Sequence, residues 1–324
     1  MEHLYPLIFE PIIKEKLWGG TSLHEVLAKP HTGDYDGESW ELSGVPGNIS
    51  VVRNGPYTGK SLTELIEHFK GNLVGEHVYN KHGNMFPLLF KFIDAQQDLS
   101  IQVHPNDELA HKRHNSFGKT EMWYVIDADP DASLIVGFNK QVDARQYMDC
   151  IQDNKLMSVL NREKVQPHDV FFIPAGRIHT IGKGLLIAEI QQTSDITYRI
   201  HDFDRVDANG NKRELHNDLA VKAIDFSIPD SYKTSYDLQA GEQLIGASDY
   251  FVTKRRFINE ATTIEFGHSS CTVLMCIEGS LEVSLFEELP AILKGDTVLI
   301  PSCIEELTMT PEGNSILLEI HIPD

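Results

Sequence analysis

Ser100-Ile101-Gln102-Val103-His104-Pro105 is the segment from which the organisation of this chain is best worked out. It alternates polar and apolar residues, and it follows a nearly continuous apolar run at 85–93. Because the side chains of a strand alternate between its two faces, Ser100, Gln102 and His104 would point to the same side. The segment therefore predicts a strand that ends at its proline and presents three polar side chains to one face.

Two further candidate metal ligands follow later in the chain. Glu121 opens the apolar run 122–126, and His179 closes the turn Pro174-Ala175-Gly176-Arg177-Ile178-His179. Two neutral imidazoles and a carboxylate, with the Gln102 carbonyl oxygen as a neutral ligand, are typical of a divalent-cation site that keeps positions for water or substrate. A lone histidine is more often a core or surface residue, so the prediction requires the set to meet in space. These ligand types suit both Zn²⁺ and Fe²⁺, and the choice between them stays open.

The composition is that of a globular protein with room for one large domain or two ordinary ones. The chain has 324 residues, of which 41% are hydrophobic and 23% charged. No apolar run approaches the roughly 18 residues that a membrane span needs. The N-terminal residues include Glu2 and Pro6 and lack a basic region followed by a cleavage site, so we expect no export signal and a cytoplasmic protein.

Charge and cysteine content bear on partners and redox state. A formal charge of -20 at pH 7 disfavours nucleic acid as a partner, because such binding relies on clustered lysine and arginine. A small anionic substrate stays compatible with this charge if its pocket supplies cations. The four cysteines include no C-x-x-C pair, which indicates reduced thiols and no disulfide scaffold.

The order of predicted elements divides the chain in two. Helical patterns, such as the capping-box sequence that opens 61–69, alternate with strands in the first part. A polar, irregular segment at 201–240 is where we place the domain junction. Beyond it, roughly 80 residues show strands and turns in succession, which is typical of a β-sandwich or barrel.

An internal repeat links the two parts. His168-Asp169-Val170-Phe171-Phe172-Ile173-Pro174 matches Gly295-Asp296-Thr297-Val298-Leu299-Ile300-Pro301, with aspartate and proline at the same separation. Five residues beyond each proline, the first copy has His179 and the second has Glu306. The second part thus repeats a strand and turn without the histidine, which predicts one metal site per chain.

Two lysines lie close in sequence to the predicted ligands. Lys91 interrupts the apolar run at 86–93, and its alternative interpretation is an edge-strand lysine whose charged end reaches solvent. Lys119 comes two positions before Glu121 and would share its face on a strand. An ordinary loop lysine is the alternative for Lys119. If both lysines are buried beside the ligands, they supply positive charge to the site.

A carboxylate, an arginine and a tryptophan complete the candidates. Glu189 lies in the strand pattern 185–192, where a buried carboxylate needs a partner or a proton-transfer role. Arg199 follows ten residues later and can hold a phosphate or stabilise an enediolate oxygen. The alternative for both is an internal Glu–Arg ion pair. Trp18, before the turn Gly19-Gly20, either lines a pocket or anchors that turn to the core.

Taken together, these segments resemble the type I mannose-6-phosphate isomerases of the short bacterial kind, in the cupin superfamily. The Gln-x-His-Pro element and the Pro-x-Gly-x-x-His turn are specific together, whereas either alone would indicate only a cupin. The general cupin pattern has His-x-His where this chain has Gln102 first, which fits the isomerases and weakens the analogy to cupin oxygenases. The matching segments span most of the first 200 residues: Leu17-Trp18-Gly19-Gly20, Glu38-Ser39-Trp40-Glu41, Leu89-Phe90-Lys91, Leu99 to Pro105, Lys119-Thr120-Glu121-Met122, Pro174 to His179, and Glu189 through Arg199.

The resemblance implies two cupin-like β-barrels, each a double-stranded β-helix. Residues 1–240 would form the metal-binding catalytic barrel with a few inserted helices, and residues 241–324 a degenerate barrel without metal. It also implies one zinc ion per chain and the interconversion of mannose 6-phosphate and fructose 6-phosphate. The implied metal ligands are Gln102, His104, Glu121 and His179, and the implied catalytic arginine is Arg199.

The chemistry of such an isomerisation assigns roles to the remaining candidates. Moving a carbonyl between C1 and C2 requires a proton to leave one carbon and return to its neighbour. Glu189 can shuttle that proton through a cis-enediol, and Arg199 can offset the developing negative charge. The identity of the base stays open, and Ser100, Lys91 and Lys119 are the candidates for binding the phosphate. An Fe²⁺ oxygenase and a noncatalytic sugar-binding cupin are the alternative functions. The candidate catalytic residues are Arg199, Glu189 and Lys119, and the candidate substrate-binding residues are Ser100, Lys91 and Trp18.

Overall fold

A computed structural model describes residues 3–206, 209–267, 269–284 and 286–324, and the chain is mainly β, as predicted. The strands up to the predicted junction are β1 (Leu7–Ile8), β2 (Ile12–Gly20), β3 (Asp36–Leu42), β4 (Leu88–Ala95), β5 (Ile101–Val103), β6 (Glu121–Ala128), β7 (Ser133–Phe138), β8 (Leu160–Lys164), β9 (Val170–Ile173), β10 (His179–Thr180), β11 (Leu185–Gln192) and β12 (Tyr198–His201). Those beyond it are β13 (Glu242–Ala247), β14 (Val252–Ile258), β15 (Thr262–Glu265), β16 (Thr272–Glu278), β17 (Ser280–Val283), β18 (Ile292–Leu293), β19 (Thr297–Ile300), β20 (Glu306–Pro311) and β21 (Ser315–His321).

Short helices connect the strands of the first part. In α2 the Ser61 side chain accepts a hydrogen bond from the Glu64 N–H, and the Glu64 carboxylate accepts one from the Ser61 N–H, so the predicted capping box is confirmed. Among the described residues, none of the helices combines the length and apolar character that crossing a bilayer requires. The helices are α1 (Ser22–Glu25), α2 (Leu62–Phe69), α3 (Gly71–Val74), α4 (Glu76–His82), α5 (Asp107–His114), α6 (Ala144–Gln152) and α7 (Asn217–Ala220).

Two antiparallel sheets form the first barrel. One sheet has the strand order β2-β3-β4-β11-β6-β9, and the other has the order β12-β5-β10-β7-β8. Strands β4 and β11 lie at the centre of the larger sheet and are buried along their whole length. Both faces of this sheet are covered, which explains why these strands are nearly continuous in apolar residues. Inside the barrel, Trp123 and Ile187 of the larger sheet pack with Leu134 and Val136 of the smaller one.

The second part of the chain repeats this arrangement. Its larger sheet has the order β1-β19-β16-β21-β14-β13, so that β19, β16, β21 and β14 take the positions of β9, β6, β11 and β4. The repeated segments agree in backbone detail, because His168 and Gly295 both have positive φ, 74° and 93°. The carboxylates of Asp169 and Asp296 each accept a hydrogen bond from the N–H three residues upstream. The repeat seen in the sequence is therefore also a structural repeat.

The interiors of the two barrels differ in chemistry. Ile264, Leu274, Leu307 and Leu317 pack against one another within the second barrel as part of an apolar core. Glu306, which occupies the repeat position of His179, is exposed. Apolar side chains thus fill the space that corresponds to the polar centre of the first barrel.

The two barrels are joined by their larger sheets. Phe90 and Tyr124 of the first barrel belong to one continuous core with Met275 and Leu318 of the second. In addition, β1 pairs with β19, so residues 7–8 extend the sheet of the second barrel. The N-terminal segment therefore contributes to both halves of the molecule.

A buried lysine also ties the halves together. Lys29 Nζ lies 2.6 Å from Glu41 Oε2 and donates to the Gly295 carbonyl oxygen at 2.6 Å. Only 7% of the Lys29 side chain and 4% of the Glu41 side chain are exposed. Removing one member of such a pair leaves the other as an uncompensated buried charge.

We therefore expect Lys29→Ala to lower the free energy of unfolding by about 3–5 kcal/mol. The matched control is Lys60→Ala, because Lys60 pairs with Glu64 at 3.5 Å while both side chains are more than half exposed. Lys60→Ala should lower the free energy of unfolding by less than about 0.5 kcal/mol. Denaturant unfolding of both variants measures the difference, and equal losses would show that the Lys29 contact does not stabilise the junction.

Candidate metal centre and active site

The predicted ligands are brought together by strand pairing. Gln102 on β5 lies opposite His179 on β10, and Glu121 at the start of β6 lies opposite Ile173 at the end of β9. The turn between β9 and β10 then returns the chain to the ligand cluster at His179. His104 follows β5 directly. Pairing thus gathers four residues from three separate segments of the chain.

Three of these residues form a compact buried cluster. One side-chain ligand atom from each of His104, Glu121 and His179 lies within 4.8 Å of the others. The separations are 3.7 Å from His104 Nε2 to Glu121 Oε2 and 3.3 Å from His179 Nε2 to Glu121 Oε1. Gln102 Nε2 lies 3.3 Å from His179 Nε2, and a half-turn of the amide would present its oxygen instead. The predicted ligands therefore share one centre.

The two imidazoles are held neutral with their Nε2 atoms facing the cluster. His104 Nδ1 lies 2.8 Å from the Ile196 carbonyl oxygen, and His179 Nδ1 lies 2.8 Å from the Arg177 carbonyl oxygen. Each Nδ1 therefore carries the proton that it donates, which leaves Nε2 unprotonated and able to bind a cation, although Lys119 Nζ lies 3.3 Å from His104 Nε2. Burial lowers the pKa of His179 to about 3 and the pKa of His104 well below its usual value.

Glu121 provides the test of whether a cation fits here. Both of its carboxylate oxygens are buried, and no group in the described part of the chain gives either of them a hydrogen bond of acceptable geometry. Lys119 Nζ lies 2.9 Å from Oε2, which offsets the charge only partly. Burial, together with the nearby negative charge of Glu189, raises the pKa of Glu121 to about 7. An under-coordinated carboxylate facing two neutral imidazoles fits a divalent cation.

Glu189 is held beside this cluster by two lysines. Lys91 Nζ lies 3.1 Å from Glu189 Oε1, Lys119 Nζ lies 4.0 Å from it, and the Trp123 indole N–H donates to Oε2 at 2.9 Å. Burial alone would raise the pKa of Glu189, but the two ammonium groups lower it to about 2. The carboxylates of Glu121 and Glu189 raise the pKa of Lys119, although burial alone would lower it. Glu189 is therefore ionised near neutral pH, whereas Glu121, with its pKa of about 7, is close to its midpoint there.

These contacts decide between the structural alternatives. Lys91 lies in the central strand β4, between β3 and β11, and its side chain is 7% exposed, so it is not an edge-strand lysine. Lys119 is equally buried and contacts Glu121, so it is not an ordinary loop lysine. Glu189 forms its ion pair with Lys91, which means that the alternative Glu–Arg pair with Arg199 is wrong.

A cavity of about 240 Å³ opens over Lys91, Lys119 and Glu189, which form its charged floor. Its lining includes the predicted ligand Gln102 as well as all the predicted catalytic and substrate-binding residues, namely Arg199, Glu189, Lys119, Ser100, Lys91 and Trp18. Trp18 thus both lines the cavity and packs in the barrel core, so the two interpretations of this residue hold together. The sequence-predicted residues meet around one space.

Arg199 reaches this cavity from β12. Its backbone lies opposite Gln102, its N–H donates to His216 Nδ1 at 3.1 Å, and its Nη1 donates to the Glu214 carbonyl oxygen at 3.0 Å. Within the described residues, its Nε is buried and receives no hydrogen-bond partner. Arg199 therefore keeps a donor free for a bound molecule.

Some cavity residues were not predicted from the sequence. Glu38 and Trp40 alternate on β3, and this spacing offers a signal for a shared face. Lys16, whose Nζ lies 3.3 Å from Glu38, is partly buried and follows the charged residues Lys14 and Glu15, a context that carries no such signal. Arg213 comes from the irregular polar segment that was assigned to the domain junction. The polar and aromatic residues of the lining that were missed are Lys16, Glu38, Trp40, Asp195, Thr197 and Arg213.

Comparison with known proteins identifies the relatives of this chain. Residues 7–136 match the family model described as phosphomannose isomerase type I, catalytic domain. The chain is 37% identical over 324 residues to mannose-6-phosphate isomerase ManA of Bacillus subtilis, with 98% of this chain and 99% of that protein covered. It is 33% identical over 301 residues to the mannose-6-phosphate isomerase of Streptococcus mutans, with 93% of each chain covered.

Solved structures give the same result. The crystal structure of the mannose 6-phosphate isomerase from Bacillus subtilis superposes with a TM-score of 0.88 at 34% identity, covering 98% of this chain and 100% of that one. A variant of phosphomannose isomerase from Salmonella typhimurium superposes with a TM-score of 0.81 at 16% identity, covering 98% and 100%, which establishes the shared fold alone. With a relative above 30% identity along almost the whole of both sequences, this chain belongs to the type I phosphomannose isomerase family.

Proposed function

We propose that this protein is an aldose–ketose isomerase that interconverts mannose 6-phosphate and fructose 6-phosphate. The observation that carries the proposal is the floor of the cavity, where an ionised Glu189 lies beside a cluster of neutral imidazoles and a buried carboxylate. Such a floor can take a proton from a carbon next to a carbonyl and return it to the neighbouring carbon. The relatives that match nearly the whole chain carry the name of the same reaction.

We further propose that the cluster holds one Zn²⁺ per chain, within residues 1–240, and that residues 241–324 bind none. His104, Glu121 and His179 would be the principal ligands, with the Gln102 oxygen as the fourth. When bound, a divalent cation polarises a substrate oxygen and makes the neighbouring proton more acidic. The buried, under-coordinated oxygens of Glu121 support this assignment.

Within the chain itself, Glu189 is the group best placed to carry the proton. The two lysines keep it ionised, and Oε1 accepts no hydrogen bond of acceptable geometry from the described residues. Lys119 Nζ lies 2.9 Å from Glu121 Oε2 and 4.0 Å from Glu189 Oε1, where its positive charge favours the ionised form of each carboxylate, and Lys119 is the second candidate for proton transfer. Arg199 would offset the negative charge that develops on the enediol oxygens.

We propose that the substrate phosphate is bound by positively charged side chains that lie nearer to solvent than the buried lysines of the floor. We propose that Ser100 and Trp18 contact the sugar and that Lys91 contributes positive charge from the floor. Lys16 and Arg213 also line the cavity, and their side chains are 34% and 28% exposed, compared with 7% for Lys91. The cavity therefore supplies the cations that an anionic substrate needs despite a formal charge of -20 for the whole chain. We propose a cytoplasmic enzyme whose partner is this small molecule.

Turnover of mannose 6-phosphate in a coupled assay for fructose 6-phosphate tests the proposed function. We expect multiple turnovers, with deuterium from solvent appearing at C1 of the fructose 6-phosphate because the side chain that carries the proton can exchange it with solvent. Iron-dependent oxygen uptake without isomerisation would favour the oxygenase alternative. Saturable binding of mannose 6-phosphate without turnover would favour a noncatalytic sugar-binding protein.

A further inference from the structure

A hydrogen-bond network centred on Asp107 lies directly behind the candidate active site. Asp107 is the first residue of α5, three positions after the candidate ligand His104. Its Oδ1 accepts hydrogen bonds from the Gly118 N–H at 2.7 Å and from Gln192 Nε2 at 3.0 Å. Its Oδ2 accepts a hydrogen bond from the Tyr250 hydroxyl at 2.7 Å. One carboxylate thus receives donors from three separate segments.

The network continues from Gln192 to the segment that carries Lys119 and Glu121. Gln192 Oε1 accepts a hydrogen bond from the Thr120 N–H at 2.9 Å, and the Gln192 N–H donates to the Thr120 carbonyl oxygen at 3.1 Å. Thr120 Oγ1 in turn accepts a hydrogen bond from the Ala175 N–H, in the turn that leads to His179. Hydrogen bonds between residues that do not line the cavity therefore link the segments that supply the candidate ligands.

The segment from Gly118 to Glu121 passes close against the start of α5. A Cβ at Gly118 would lie 2.6 Å from the Asp107 backbone nitrogen and 2.7 Å from the Asn106 carbonyl carbon, so only glycine fits. Lys119 donates its N–H to the Pro105 carbonyl oxygen at 3.2 Å. The position of this segment is consequently set by the position of Asp107.

We propose that Asp107 is a positioning residue that sets the location of Lys119 and Glu121, and that Tyr250 of the second barrel completes this function. The inference rests on the proposed isomerase function. Asp107 does not line the active-site cavity and touches none of the reacting groups. It acts through the backbone of 118–120, and a displacement of about 1 Å at a catalytic group can cost about a hundredfold in rate. This assigns the second barrel a direct effect on the active site.

The experiment compares Asp107→Ala, Asp107→Asn and Tyr250→Phe with the control Glu108→Ala. Asp107 and Glu108 both lie in the first turn of α5, so each substitution removes a carboxylate that favours the helix N-terminus. Glu108 is exposed, whereas the hydrogen bond from the Gly118 N–H goes to Asp107. Turnover, KM, zinc bound per chain and the thermal unfolding midpoint are measured for all four variants and the wild type.

We expect Asp107→Ala to lose about ten- to a hundredfold in kcat, the effect of displacing a catalytic group by up to about 1 Å, and to bind zinc less tightly because Glu121 is displaced as well. KM for mannose 6-phosphate should change less, because the cavity lining is kept. Asp107→Asn and Tyr250→Phe should lose a few-fold each, and Glu108→Ala should match the wild type although it removes the same helix charge. Should Asp107→Ala fail to fold, the two milder variants decide the matter.

Wild-type kcat and zinc affinity in the folded Asp107→Asn and Tyr250→Phe variants would overturn the inference. So would a loss in Glu108→Ala equal to that in Asp107→Ala, because it would trace the effect to the helix. Failure of the proposed function is distinguishable, since the wild-type protein itself would then not isomerise mannose 6-phosphate.

Discussion

Glu121→Gln is expected to lose bound divalent metal and to lower turnover on the order of a thousandfold or more, since a bound cation contributes several kcal/mol to such a reaction. The substitution keeps the size of the side chain and one oxygen, but it removes the only carboxylate in the ligand cluster. A neutral amide binds a divalent cation much less well than a carboxylate. Metal analysis and the coupled isomerase assay on the same preparation measure the two losses together.

Asp94→Asn is the matched control for this prediction. Asp94 is also a buried carboxylate in a strand of the first barrel, and it accepts a hydrogen bond from the Ser22 N–H away from the ligand cluster. We expect it to keep its metal and its turnover. Treating the wild-type protein with a chelator should reproduce the Glu121→Gln result, and adding back Zn²⁺, Fe²⁺ or Mn²⁺ separately identifies the ion. Full activity in metal-free wild-type protein would refute the metal-assisted mechanism.

Arg199→Ala is expected to keep its metal and to lose about a hundred- to a thousandfold in kcat, the effect of removing one preorganised donor from a developing negative charge. The guanidinium lines the cavity, but its observed hydrogen bonds run to a backbone carbonyl and leave Nε free. Its removal therefore takes a cation from the cavity while the ligand cluster is left intact. Steady-state kinetics and metal content separate these two effects.

Two further variants sharpen the test of Arg199. Arg199→Lys keeps the charge and loses the planar fork of donors, so its kcat should fall between those of wild type and Arg199→Ala. Arg162→Ala removes an exposed arginine from the same sheet, where it donates to Ser133 Oγ, and should leave kcat unchanged. If Arg199→Ala turned over at the wild-type rate, this arginine would have no part in the reaction.

Much of the site could be predicted because its residues lie in regular local patterns. Gln102 and His104 alternate along an extended segment, and His179 stands at a fixed distance from a proline that the repeat also contains. Glu189 and Lys91 are charged residues inside largely apolar strands, where burial without a function would be costly. These local rules depend only on neighbouring residues and can be seen without coordinates.

Other features depend on which strands are neighbours. The pairing of Glu189 with Lys91 in place of Arg199 follows from the register of β11 against β4. Lys16 and Arg213 enter the cavity from elements with no buried pattern, and Tyr250 reaches Asp107 from the second barrel. None of these contacts leaves a periodic signal in the sequence, because each joins residues that are distant along the chain.

By itself the sequence determined the strands, the capped helix, the repeated strand and turn, and the identity of the residues able to bind a cation. These properties follow from side-chain alternation, hydrogen bonding between near neighbours and the ligand chemistry of single residues. Only the tertiary structure decided which charges neutralise one another, which cations reach the cavity, and what holds 118–121 in place. Sheet order and register set those contacts, and both arise from packing over the whole chain.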